Sequence, residues 1–171
     1  MRTQDNEKKI SLIGMLVAFS IVAGYLENFI PLPVPGLKLG IANIGIMISL
    51  YLLDWKSTIL IAILKSLLVP LVTGNFIIKL TIGLPATLAA ATFMIIYKTL
   101  TNKFTTATST GALGAFIHIN CQFVLIKFLF IKSLTIYKIL PYFSLFSVIA
   151  GAITGYLTII TTEIILKTYN K

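Results

Sequence analysis

The residues able to do chemistry are few and sit inside long apolar runs. Glu27 lies near the outer end of the first run, Lys65 falls in the middle of the third, and His118 and Gln122 lie four apart in the fifth, on one face if that run is helical. An ion buried in hydrocarbon costs several kcal/mol unless it is paired or hydrated, so ionisable groups at such positions are the first functional candidates. Each also has a plain structural reading. Glu27 can be an interfacial carboxylate meeting a lysine such as Lys38, and His118 a hydrogen-bonding link between helices. Lys65 is harder to place structurally, because its stem cannot easily snorkel from mid-span.

Other chemistries lack their residues. There is no GxxxxGK[ST] loop for nucleotide hydrolysis by the P-loop route. Prenyl-chain synthesis from diphosphates ordinarily uses clustered aspartates to hold Mg²⁺, and only Asp5 and Asp54 are present. A lone histidine makes neither a credible nucleophilic triad nor a metal site, and the single cysteine, Cys121, allows no intramolecular disulfide. The expectation is a chain that is not itself an enzyme and needs no cofactor and no metal.

The elements that must position these residues follow from composition. Of 171 residues 57% are hydrophobic and 11% charged, and mean hydropathy is +0.98. That is the make-up of an all-α integral membrane protein. A β-barrel would alternate apolar and polar residues over strands of about ten; the unbroken run from Ile44 to Leu53 does not. Runs bounded by charge, proline or glycine predict six transmembrane helices near 10–30, 40–53, 57–73, 76–97, 107–131 and 139–166. The expected organisation is an N-terminal segment 1–9, one six-helix domain 10–167 and a tail 168–171. The first run continues to Ile30 through Glu27 without a cleavage pattern and reads as a retained helix. Between the second and third runs, Asp54-Trp55-Lys56 fits either a tight polar turn or a kink.

The net charge of +9 would suggest nucleic acid in a soluble protein, but most lysines here flank apolar runs, where they meet lipid headgroups. No nucleic-acid partner is expected. Placing both termini in the cytoplasm puts Arg2, Lys8, Lys9, Lys56, Lys98, Lys103, Lys167 and Lys171 inside, against Lys38, Lys79, Lys132 and Lys138 outside. The positive-inside rule favours that orientation.

Pro31, Pro33 and Pro35 prevent regular helix before Gly40. The connection is either a surface loop or part of a lid, since irregular backbone at membrane depth occurs only within protein or beside a water-filled cavity. Gly14 with Ala18, and Gly151 with Gly155, form small-xxx-small pairs that let helices approach closely.

The stretch Glu27-Asn-Phe-Ile-Pro31-Leu-Pro33-Val-Pro35-Gly36-Leu-Lys38-Leu-Gly40-Ile-Ala42-Asn43 resembles the signature of the Gx transporter family, also known as heptaprenyl diphosphate synthase component I. Lys65 falls where that family usually has arginine, Gly74-Asn-Phe resembles its short loop, and Pro141-Tyr142 with Gly151 and Gly155 resembles its last span. The fifth span departs: the family tends to read His-Asn-x-Gly-Gln, whereas this chain reads His118-Ile119-Asn120-Cys121-Gln122, which moves the asparagine to another face. The resemblance covers residues from about 10 to 166. It implies a six-helix fold similar to the substrate-binding S components of energy-coupling factor (ECF) transporters, in the plasma (inner) membrane of a bacterium. Its implied partners are a transmembrane coupling protein and two ATPase subunits, with Gly14 and Ala18 meeting the coupling protein.

Three functions follow as expectations. As a transport subunit, the chain would bind a small vitamin-like molecule, anionic or flavin-type, with Glu27, Lys38, Asn43, Lys65, Lys79, His118 and Gln122 around a pocket open to the outside. The lysines would favour an anion, while Asn43 and Gln122 would supply directional hydrogen bonds. As component I of a heptaprenyl diphosphate synthase, it would be a non-catalytic membrane subunit in isoprenoid side-chain synthesis, bound to an aspartate-rich synthase. As a scaffold, it would lose stability but no ligand response on substitution at Lys65 or Gln122.

Overall fold

The computed structural model describes residues 2–30, 38, 40–101, 105–130 and 137–169. Helix α1 runs Arg2–Glu27, a single 3-10 turn Ile41–Asn43 leads into α2 at Ile44–Leu52, and α3 spans Trp55–Thr73. Helices α4 (Phe76–Leu100), α5 (Ala107–Leu129) and α6 (Leu140–Tyr169) complete an all-helical bundle. The expectation of six helices therefore holds, but the second differs in kind from the rest. Five helices are long and apolar enough to cross a membrane, and Ile41–Leu52 is shorter. At ~1.5 Å per residue it reaches roughly half the ~30 Å hydrocarbon depth. It compensates by being enclosed, since every residue from Ile44 to Leu50 is buried. A half-depth helix is tolerable where its ends meet protein and not lipid.

Both ends are met in that way. At its C-terminal end the Lys98 ammonium donates to the Leu50 carbonyl at 2.6 Å and lies 4.5 Å from the Tyr51 ring centroid. Such a cation satisfies a carbonyl that the helix itself leaves open. The turn into α3 consists of extended Leu53 and Asp54, so the polar-turn reading prevails over the kink. Asp54 accepts from Lys9 at 2.7 Å and from the Ser57 hydroxyl at 2.7 Å, tying the start of α1 to the corner. Those two contacts, Lys9 first, hold its carboxyl below the usual carboxylate range. Trp55 beside it is exposed, as an interfacial residue should be.

Helices α5 and α6 pack backbone against backbone. A Cβ added at Gly151 would collide with the Gly111 carbonyl, and one at Gly155 with the Ala107 carbonyl. The Gly151/Gly155 pair thus acquires its partner, the Ala107 to Gly111 face of α5. A Cβ added at Gly14 would meet nothing within 4 Å, and Ala18 is exposed, so the other small pair takes no part in packing within the chain. The polar stretch before residue 10 is a helical extension of α1, and α6 continues to Tyr169. Most of the proline-rich connection, residues 31–37 and 39, lies outside the described residues, as do Lys103, Lys132 and Lys171.

Candidate functional site

The site forms at the end of the bundle where α1 and α3 finish and α4 begins. Helix α3 carries Lys65 inward, buried to 4% exposure, and its ammonium donates to the Asn43 side-chain oxygen at 2.8 Å. Asn43 stands there because the 3-10 turn enters α2 at depth. Gly40 opens that turn with φ +95°, a left-handed conformation that glycine takes without strain. Around it the Glu27 carboxylate accepts from the backbone amides of Gly40 (2.6 Å), Ile41 (3.3 Å) and Ala42 (3.3 Å).

Glu27 therefore works as a cap delivered from a neighbouring helix. It satisfies amides that a helix start leaves unpaired, and its charge is favourable at that pole. The expected ion pair with Lys38 is not what holds it: among the described residues the ion pair is Lys9 with Asp54. Glu27 and Lys38 act on each other only through space. Burial lowers the Lys38 pKa, with Glu27 opposing that shift and Lys79 adding to it.

Lys79, in the first turn of α4, donates to the Asn28 side chain at 2.7 Å and to the Thr73 carbonyl at 2.8 Å. It thereby closes the C-terminus of α3 across a turn made by Gly74 and Asn75, both at positive φ. On α5, His118 and Gln122 are fully buried on one face, as their spacing predicts. The Gln122 amide oxygen accepts from the Lys38 backbone N–H at 2.9 Å, which anchors the end of the long connection to α5. His118 Nε2 is 3.4 Å from the Thr87 hydroxyl and both ring nitrogens are 3.4 Å from Gln122 Nε2. Asn120 points the other way, donating to the Phe116 carbonyl and to Ser144 on α6.

These groups enclose a cavity of about 20 Å³ whose lining includes Lys38, Lys65, Lys79, His118 and Gln122. Five of the seven residues expected to bind substrate line it; Asn43 and Glu27 stand one contact behind, holding Lys65 and the Gly40–Ala42 turn. Sequence reasoning missed Ser66, Thr87 and Asn28. Ser66 also lines the cavity, is buried to 4% exposure, and its hydroxyl has no hydrogen-bond partner. Pro70 one turn on has no amide proton to give the Ser66 carbonyl, so the helix is polar just where it meets the cavity. The Ser66-to-Pro70 spacing was the available signal. Among the described residues, no three or more His, Cys, Asp or Glu side chains gather where a metal ion could be held.

A family model described as heptaprenyl diphosphate synthase component I matches residues 16–161, which include every residue of the site. No curated protein and no solved structure matches the chain.

Proposed function

Since the chain belongs to the heptaprenyl diphosphate synthase component I family, we propose that it is a non-catalytic membrane subunit whose task is to hold a small polar ligand for a partner. The observation that carries this reading is the cavity itself. Cationic and amide side chains from the connection before α2, from α3, from α4 and from α5 converge in an otherwise apolar bundle. Convergent polar groups of that kind at membrane depth are costly and are characteristic of ligand paths. The partner supported by the family description is a synthase that performs prenyl-chain chemistry.

A second reading, uptake of a vitamin-like molecule as an S-component-like subunit, is favoured by one observation. The outward-facing Gly14 and Ala18 on α1 are left unpacked within the chain, where a coupling protein would sit. Under either reading the membrane is a bacterial plasma membrane with both termini in the cytoplasm and the cavity toward the outer face.

The deciding experiment is a tagged pull-down from native membranes in mild detergent, with mass spectrometry of the accompanying proteins. A prenyl synthase partner establishes the first reading. Coupling-protein and ATPase peptides replace it with the second, and recovery of the chain alone at native expression removes both.

A further inference from the structure

One buried charge at the site has no counter-charge. The sequence holds five acidic residues, and only Glu27 stands at this end of the bundle. Asp5 and Glu7 belong to the first turns of α1, Asp54 pairs with Lys9 at the α2–α3 corner, and Glu163 is exposed near the end of α6. Glu27 itself is spent on three backbone amides. Of the three lysines that line the cavity, Lys79 answers the C-terminal pole of α3 through the Thr73 carbonyl, and Lys38 is only partly buried. Lys65 remains. Its ammonium is buried, and the acceptor found for it is the neutral Asn43 oxygen. A buried ion without a charged partner is expensive.

A second observation is independent of charge. The Ser66 hydroxyl is buried, borders the cavity next to Lys65 and has no hydrogen-bond partner. On α5, Gln122 gives its oxygen to the Lys38 backbone N–H, which leaves its amide nitrogen at 3.4 Å from the His118 ring nitrogens, long for a hydrogen bond. An ammonium, a hydroxyl and an amide with protons to give thus border one cavity. They call for an acceptor, and an anion is the acceptor that also brings the missing charge.

Volume decides which anion. At about 20 Å³ the cavity has room for roughly one water-sized group, too little for a carboxylate, a sulfate or any other polyatomic ion. We propose that the cavity is a halide site, occupied by chloride in the cell, in which the ion rests on the Lys65 ammonium and the Ser66 hydroxyl with the Gln122 amide as third donor. A water molecule would satisfy Ser66 but leave the Lys65 charge unanswered. A halide needs no movement of the connection before α2. It is a resident counter-ion and not the ligand held for a partner, so it goes beyond the binding-subunit reading and does not depend on it.

The test is equilibrium dialysis of the purified full chain in detergent against radiolabelled chloride, with sodium gluconate holding the ionic strength, together with thermal unfolding in the same buffers. Expected is saturable binding of one chloride per chain, displaced by bromide and not by sulfate, and a thermal midpoint that rises with chloride concentration. Ser66→Ala weakens binding about tenfold through loss of one hydrogen bond to a charged group, and Lys65→Met abolishes it. In gluconate without chloride both variants unfold no earlier than wild type. Should Lys65→Met not fold, Ser66→Ala alone decides. Absence of saturable binding, displacement by sulfate as readily as by bromide, or equal affinity in wild type and Ser66→Ala overturns the proposal. If a synthase still co-purifies in that event, the halide site fails and the subunit reading stands.

Discussion

Lys65 and Glu27 are both buried charges, yet their surroundings give them opposite roles. Glu27 accepts from three backbone amides that have no other partner in the helix start. Truncating it strands those donors, so Glu27→Ala should lower stability in detergent by about 3 kcal/mol, and Glu27→Gln by less because one oxygen still accepts. Thermal or denaturant unfolding of the two variants measures the difference, and equal stability would remove the capping role. Lys65 is held by one neutral amide oxygen. Replacing it with methionine keeps volume and removes a buried charge that no carboxylate pairs, and the desolvation cost relieved in this way offsets the Asn43 oxygen left without its donor. The unliganded Lys65→Met protein should therefore unfold no earlier than wild type. Marked destabilisation would favour a scaffold role for this residue.

Helix contacts divide the small residues in the same way. Gly151 and Gly155 lie against the α5 backbone with no room for a Cβ. Gly155→Val should cost about 3 kcal/mol or more through overpacking, read as a lowered thermal midpoint. Gly14 faces open space, so Gly14→Leu should leave the midpoint within about 0.5 kcal/mol of wild type while reducing recovery of any membrane partner in the pull-down. Unchanged partner recovery would show that this strip meets only lipid. At the opposite corner, Asp54 links α1 to the α2–α3 turn through Lys9. Its carboxyl is held below the ordinary range, so the contribution is complete above the ordinary carboxylate pKa near 4 and is lost as pH falls through the lowered value. The midpoint gap between wild type and Asp54→Asn should accordingly be present at pH 7 and close only in strong acid. Both side chains are partly exposed, which makes the gap small.

For the whole molecule, the transmembrane character, the helix count and the faces of His118 and Gln122 were legible in the sequence, because hydrocarbon demands long apolar helices and a four-residue spacing keeps side chains on one face. The signature around Glu27 to Asn43 also pointed to the family that matches residues 16–161. Composition could not show that the second helix stops at half depth, since a short apolar run reads the same whether lipid or protein surrounds it. Nor could spacing tell that Glu27 turns to backbone amides and not to Lys38, that Ser66 borders the cavity while Asn120 faces α6, or that Gly151 and Gly155 are packed while Gly14 and Ala18 are not. Those outcomes depend on which helix lies opposite, and the pairing of distant helices is decided only when the bundle closes.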